Sequence, residues 1–110
     1  MPEQKIFSAF VWYHAESQQE SVFQSWIEHV QSELNIQGKL YKRMQNEKTT
    51  FMEVFEHIDC ATIKQIERLA TQQQCFHGIE RRCESFERIV SVQIAADLFE
   101  TKAEKHNLLL

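Results

Sequence analysis

Two segments of the sequence are apolar at both sets of alternating positions, and a β-strand with that pattern must bury both of its faces. Ile6–His14 has the sequence IFSAFVWYH and Thr49–Ile58 has TTFMEVFEHI, and both are rich in aromatic and β-branched residues. Successive side chains of a strand point to opposite sides of its sheet. The two segments therefore predict central strands of a sheet that needs cover on both faces.

The rest of the chain predicts two helices and two more polar strands. Ser17 and Glu20 have the spacing of a capping box, and the helix they open carries an apolar stripe that ends at Asn35 or Gly38. Asp59 is the predicted N-cap of a second amphipathic helix. The polar strands are predicted at Lys39–Gln45 and Arg82–Val92, a turn at Asn46-Glu47-Lys48, and a short C-terminal helix at Ala95–His106.

This order of elements, β–α–β–β–α–β, predicts an α+β domain of the ferredoxin-like kind. Right-handed crossovers place the two apolar strands in the middle of an antiparallel sheet, in the spatial order 4-1-3-2, with both helices on one face. A chain of 110 residues has room for one domain. We predict it over residues 1–94, with residues 95–110 forming the C-terminal helix and tail.

Two helices cover one face of such a sheet, so the other face needs a different cover. Strand alternation assigns large aromatic side chains to that face, with more apolar surface than a monomer usually exposes. These are Phe10, Trp12, Phe51, Phe55 and Phe86. A second copy stacked sheet to sheet would cover them, and we therefore expect a two-fold homodimer.

Polar side chains accompany those rings on the same predicted face. They are His14, Tyr41, Arg43, Glu53, Glu84 and Arg88. One interpretation is a mainly apolar pocket with a few converging polar groups, which is typical of a small-ligand site. The other is a set of ion pairs, such as Glu53 with Arg43 or Glu84 with Arg88, that fixes the register of the dimer.

Four short segments carry a resemblance to known proteins. They are Trp12-Tyr13-His14, Leu40-Tyr41-Lys42-Arg43, Phe51-Met52-Glu53-Val54-Phe55-Glu56 and Arg81-Arg82-Cys83-Glu84-Ser85-Phe86. The chain resembles the dimeric α+β barrel superfamily, and within it a small proteobacterial family of unknown function. In that family the first strand tends to end Tyr-Tyr-Arg and the fourth begins Arg-His, where this chain has His14 and Arg82. The resemblance implies a bacterial protein with this fold and dimer, and no particular activity, because such barrels host several.

Metal and cofactor chemistry has little support in the sequence. His57 and Cys60 stand before the second helix, and Cys75 and His77 after it. A helix of roughly 20 Å separates the two pairs, so we expect no metal site. For haem or flavin, His77 and Trp12 are the plausible contributors, and we expect no cofactor.

A thiol nucleophile is a further candidate. Cys83 follows Arg81 and Arg82, whose charges favour a lowered thiol pKa. No histidine and acid partner is evident for it, and a buried, inert cysteine is the commoner state.

Charge and composition argue against several classes of partner. The chain has 12 basic and 16 acidic residues, a net charge of −4, whereas nucleic-acid binding depends on a basic surface. Its three cysteines form an odd set, as expected for reduced thiols. The first residues lack the features of a secretory signal, and no apolar stretch approaches the ~20 residues of a membrane helix. We therefore expect a cytoplasmic protein without nucleic-acid or membrane partners.

Three functions remain open from the residues alone. The first is a dimeric barrel that binds a small apolar or aromatic ligand. The second is a cofactor-independent, monooxygenase-like enzyme in which His14 or Glu53 acts on an aromatic substrate. The third is a structural interaction module whose second sheet face is only a dimer interface. A cavity of at least ~300 Å³ on that face favours the first two functions.

Overall fold

The computed structural model of the protein describes residues 5–89, which form a four-stranded antiparallel sheet and two helices. The strands are β1 (Phe7–His14), β2 (Gly38–Gln45), β3 (Lys48–Ile58) and β4 (Arg82–Glu87), and the helices are α1 (Glu20–Leu34) and α2 (Cys60–Thr71). Single 3₁₀ turns at Ser17–Gln19 and Gln74–Phe76 precede α1 and follow α2. The predicted α+β class, with two helices and an antiparallel sheet, is confirmed. The predicted C-terminal helix at Ala95–His106 lies outside the described residues.

The strands lie side by side in the order β2-β3-β1-β4, so the two apolar strands are central and the two polar strands form the edges. All three neighbouring pairs are antiparallel. Both helices contribute to one core against a single face of the sheet. We call the opposite face the open face.

Several element boundaries follow from local sequence signals. The Asp59 side chain accepts a hydrogen bond from the backbone N–H of Thr62 at 2.8 Å, which confirms the predicted N-cap of α2. Asn35 ends α1 in the left-handed conformation, with φ 57°. Asn46 and Glu47 both have positive φ, as a two-residue hairpin turn of the primed type requires.

The start of α1 differs from the prediction. Ser17 lies inside the 3₁₀ turn instead of capping the helix, and Glu20 is the first residue of α1. The capping role moves one residue earlier, to Glu16, whose backbone N–H donates to the Gln19 side chain at 3.2 Å. The tight 3₁₀ turn, inserted before the helix proper, is the reason for the shift.

The core between the helices and the sheet is dominated by aromatic rings. Tyr13, Phe23 and Phe51 lie in mutual contact, with ring centroids of Tyr13–Phe23 and Phe23–Phe51 at 5.0 Å and 4.9 Å. A β-bulge in β3, with His57 at φ 60°, returns Ile58 to this face. The other buried members are Ala9, Val11, Trp26, Val30, Phe55, Ile63, Ile66, Ala70 and Phe76.

The predicted placement of three β3 residues on the open face is wrong. Phe51, Glu53 and Phe55 are fully buried on the helix side, where Tyr13 pairs with Phe51 and Ala9 with Phe55. Met52 and Val54 occupy the open face instead.

The reason for this error is the register of the β2–β3 hairpin. The sequence predicts a three-residue turn over Asn46–Lys48, whereas the structure has a two-residue turn closed by the pair Gln45 and Lys48. That difference pairs Tyr41 with Met52 and not with Glu53. A slip of one residue moves every side chain of a strand to the other face.

Candidate functional site

The side chains of the open face form rows that run across the strands. Strand pairing sets each row, and successive rows along a strand are two residues, or roughly 7 Å, apart. The first row contains Arg43, Thr50 and His14. The second row contains Tyr41, Met52, Trp12 and Arg82, and the third contains Lys39, Val54, Phe10 and Glu84. In the fourth row, Phe86 on β4 pairs with Ser8 on β1.

Most of the residues predicted for the site therefore share one surface. Phe10, Trp12, His14, Tyr41, Arg43, Glu84 and Phe86 all lie on the open face. Arg88 lies just beyond β4, where its backbone N–H donates to the Ile6 carbonyl at 2.7 Å. No ion pair between Glu84 and Arg88 is present in the part of the chain that the structure describes.

A cavity of about 410 Å³ opens on this face towards the β2 edge. Its walls are Trp12, Tyr41 and Met52 from three adjacent strands, and Thr50, Arg43 and Lys42 also line it. The Tyr41 residue is 54% exposed, and Trp12 and Met52 are half-buried. The cavity thus combines an apolar floor with a polar end.

The polar end of the cavity carries one cation that has no partner within residues 5–89. The Arg43 guanidinium makes no ion pair there, whereas Lys42 turns to the helix side and bonds Glu20 at 2.5 Å. Beside Arg43, the Thr50 hydroxyl and His14 Nδ1 share a hydrogen bond of 3.0 Å. These groups can donate hydrogen bonds to an anion.

The other half of the open face carries an apolar patch. The Phe10 and Phe86 rings meet edge to face, with their centroids 5.7 Å apart and their planes at 70°. Phe86 is 58% exposed, and Val54 lies beside Phe10 on β3. Such a patch is typical of a surface that packs against protein.

On the helix side of the sheet, a buried polar network surrounds Glu53. The Tyr13 hydroxyl donates to Glu53 Oε2 at 2.5 Å, and Arg81 donates from Nη1 and Nη2 to the two carboxylate oxygens at 2.8 and 3.1 Å. Arg81 also donates to both oxygens of Glu67, at 3.3 and 2.7 Å. Its guanidinium lies 4.3 Å from the centroid of the Phe76 ring. The network ties β1, β3 and α2 to the residue that precedes β4.

The protonation states of this network are fixed by its surroundings. Burial, and next the negative charge of Glu53, hold the pKa of Tyr13 far above its usual value of 10.0. Burial alone would lower the pKa of Arg81, but hydrogen bonds to Glu67 and Glu53 outweigh it and raise that pKa. Tyr13 is thus a neutral phenol and Arg81 a cation at neutral pH.

Glu53 therefore cannot play the part predicted for it at the cavity. Its two oxygens are occupied by Tyr13 and Arg81, and its side chain is fully buried on the opposite face from Arg43. The predicted pairing of Glu53 with Arg43 is wrong for the same reason. Arg81 is the residue that the sequence prediction missed, because its partner is 28 residues away along the chain.

The cysteines do not form a reactive centre with the arginines before β4. Burial, and then the charge of Glu67, raise the pKa of the Cys83 thiol to about 11, which outweighs the opposite effect of Arg81. The expectation of a lowered pKa is therefore contradicted. Cys75 also has a raised pKa because of burial, whereas Cys60 is exposed.

Residues 5–89 contain no group of three or more His, Cys, Asp or Glu side chains placed to hold a metal ion. No helix within the same range has the length and apolar character needed to cross a membrane.

Solved structures of other proteins share the fold of this chain. The de novo designed protein Foldit4 aligns with a TM-score of 0.61 and 16% identity, over 78% of this chain and 100% of that one. NE2512, a protein of unknown function from Nitrosomonas europaea, aligns with a TM-score of 0.52 and 13% identity, over 82% of this chain and 95% of its own. PelD 156–455 from Pseudomonas aeruginosa PA14, solved in complex with c-di-GMP, aligns with a TM-score of 0.51 and 9% identity, over 87% of this chain and 38% of PelD.

No protein-family model matches the sequence, and no curated protein matches it. At these identities the likenesses concern the fold alone. They include NE2512, a protein of unknown function from Nitrosomonas europaea. The chain is thus an α+β protein with ferredoxin-like architecture.

Proposed function

We propose that the protein is a homodimer, joined sheet to sheet through the open face as in a dimeric α+β barrel, that binds a small apolar or aromatic ligand in the cavity beside Trp12. The observation that carries this proposal is the composition of the open face. It combines exposed apolar rings with a cavity of about 410 Å³, and the helices pack against the other side of the sheet.

The dimer half of the proposal rests on Phe10, Val54 and Phe86. A two-fold interface brings the same patch of each copy together, so an apolar patch is complementary to itself. A fully buried aromatic side chain removes about 150–250 Å² from water, at roughly 25 cal/mol per Å² of apolar surface. Arg82 and Glu84 lie on β4 at the rim of the patch, and their opposite charges suit pairing between copies.

The ligand half rests on the cavity at the other side of the open face. Ligand sites are mostly apolar hollows of roughly 300–1,000 Å³ with a few polar groups that orient the ligand. Trp12, Tyr41 and Met52 provide flat or flexible apolar contacts, and Thr50 and Arg43 provide the polar groups. Their backbones belong to three paired strands, so the site needs little reorganisation to bind.

A monooxygenase-like reaction has less support than binding. Of the two groups proposed for it, Glu53 lies across the sheet from the cavity. His14 is on the open face, bonded to Thr50 beside the cavity. We therefore propose binding as the function. His14 is the side chain whose substitution would test for a reaction at the cavity.

The dimer half is tested with two matched variants in analytical ultracentrifugation of the full chain. Phe86→Glu places a charge in the exposed apolar patch and should weaken association so that monomer dominates at tens of micromolar. Val22→Glu changes another exposed apolar residue, 42% exposed on α1, and should leave the dimer intact. Equal sedimentation of both variants and the wild type would refute the interface.

The ligand half is tested by titrating 2-naphthol, a neutral aromatic probe, into the full chain and recording ¹H–¹⁵N spectra. Binding in the cavity should shift the Trp12 indole resonance and leave that of Trp26, which is buried in the core, unchanged. A dimer that shows no shift at millimolar probe would instead support an interaction module without a ligand.

A further inference from the structure

We infer that the cavity is built for an aromatic anion, with its ring against Trp12 and Tyr41 and its charged group held by Arg43. The inference rests on the proposed ligand-binding function and specifies the chemical class of that ligand. Its basis is the juxtaposition of an apolar row and a row of hydrogen-bond donors on neighbouring positions of the same three strands.

The two rows have the spacing that such a molecule requires. Tyr41, Met52 and Trp12 form one row, and residues two positions away on the same strands form the next. Adjacent rows on one face are roughly 7 Å apart. A planar molecule with one or two fused rings can therefore lie over the apolar row while its charged group reaches the polar row.

The charges around the cavity select an anion. Arg43 and Lys42 line it, and no carboxylate does so among the described residues. Lys42 is neutralised by Glu20 on the helix side, which leaves Arg43 as the cation available at the cavity. This local excess of positive charge occurs in a chain whose net charge is −4.

The chemistry of Arg43 favours a carboxylate or a similar planar anion. A guanidinium donates two parallel hydrogen bonds to such a group, and it also stacks well on aromatic rings. Thr50 can add a third donor. When His14 Nδ1 carries the proton and donates to Thr50, the hydrogen of the Thr50 hydroxyl is free for the ligand.

The test compares a charged and a neutral probe of the same shape. Calorimetric titration of the full chain with 2-naphthoate and with 2-naphthamide should show the carboxylate binding about ten-fold or more tightly, as expected for a charge-assisted hydrogen bond. Arg43→Gln should remove that difference and leave the affinity for the amide unchanged. Arg68→Gln, at an exposed arginine of α2 on the other side of the sheet, should preserve it.

Three results would overturn the inference. If the amide binds as tightly as the carboxylate, the site prefers aromatic ligands without regard to charge, and the proposed binding function survives without this refinement. If Arg68→Gln weakens 2-naphthoate binding as much as Arg43→Gln does, the attraction is general and not built on Arg43. If neither probe binds to the wild type at millimolar concentration, the ligand half of the proposed function fails as well.

Discussion

At the scale of single residues, the most demanding feature is the fully buried carboxylate of Glu53. Tyr13 and Arg81 satisfy its oxygens with three hydrogen bonds. A buried charge without its partner is strongly unfavourable, so Arg81→Ala should lower the free energy of unfolding by about 3–5 kcal/mol. Arg68→Ala, at an exposed arginine of α2, should change it by at most about 0.5 kcal/mol. Urea denaturation measures both values.

The double variant Glu53→Gln, Arg81→Ala serves as the control for this interpretation. With the carboxylate charge removed, it should be more stable than Arg81→Ala alone. A double variant that is less stable than Arg81→Ala would show that the loss comes from packing around Arg81 and not from the buried charge.

Tyr13 gives the protein a predicted sensitivity to alkaline pH. Its pKa in the folded protein lies above its usual 10.0, so the folded state retains a proton that the unfolded chain loses. This contribution to stability is complete below about pH 10 and is lost as the pH rises above it, at up to about 1.4 kcal/mol per pH unit. Unfolding free energies of Tyr13→Phe and wild type should therefore converge as the pH increases from 10.

Cys83 also titrates in this range, since its pKa is about 11, but it is present in both proteins and cancels in the comparison. Tyr41→Phe, at an exposed tyrosine, is the matched control and should retain the wild-type pH dependence. A constant difference between Tyr13→Phe and wild type from pH 9 to 11 would contradict the assigned proton.

The three free thiols should react at very different rates. Cys60 is exposed, whereas Cys75 and Cys83 are half-buried and burial raises the pKa of both. At pH 8, iodoacetamide should label Cys60 first and Cys83 slowly, because the thiolate is the reactive form. Peptide mass mapping over time measures the order in which the cysteines are labelled. Faster labelling of Cys83 than of Cys60 would support Cys83 as a nucleophile.

The sequence alone could not have placed Glu53 in the core. A carboxylate between Met52 and Val54 is compatible with either face of a strand, and the usual expectation is exposure. What permits its burial is Arg81, and the contact between them depends on the tertiary packing of α2 and β4. Trp12 and Tyr41 both pair with Met52 and therefore lie on the open face, and Arg43 lies there two positions further along β2.

At the scale of elements, the β2–β3 turn decides which residues form the site. Asn46 and Glu47 both adopt positive φ, which a glutamate does at a cost of about 1–2 kcal/mol. Glu47→Gly should remove much of that strain and raise the free energy of unfolding by about 0.5–1 kcal/mol. Lys48→Gly, one residue further and inside β3, should lower it. Thermal denaturation of the two variants distinguishes them, and a destabilised Glu47→Gly would contradict the turn.

Local sequence signals predict the ends of the helices but not the length of the β2–β3 turn. Asp59 and Asn35 have side chains that cap helices through local hydrogen bonds or tolerate positive φ, so the ends of the helices were predictable. The turn length was not, because Asn-Glu lacks the glycine that marks a two-residue hairpin. Because both faces of β3 are apolar, the alternation of apolar residues along that strand does not distinguish a two-residue turn from a three-residue turn.

At the scale of the whole molecule, the sheet has two different faces. One packs against both helices around the ion pair of the buried Glu53 with Arg81. The open face carries the Phe10–Phe86 patch beside a cavity with Arg43 at its end. The sequence predicts that both faces of the sheet need an apolar cover. This still holds with Met52 and Val54 on the open face in place of Phe51 and Phe55. A second copy is the cover that the proposal assigns to that face.

Native mass spectrometry of the full chain at tens of micromolar, after purification under mild conditions, shows whether a second copy and a ligand occupy the open face. We expect a species of twice 13.1 kDa, with additional mass from a retained small ligand that is lost on activation. A single species at 13.1 kDa, without bound ligand, would contradict both the dimer and the assignment of the open face as the functional surface.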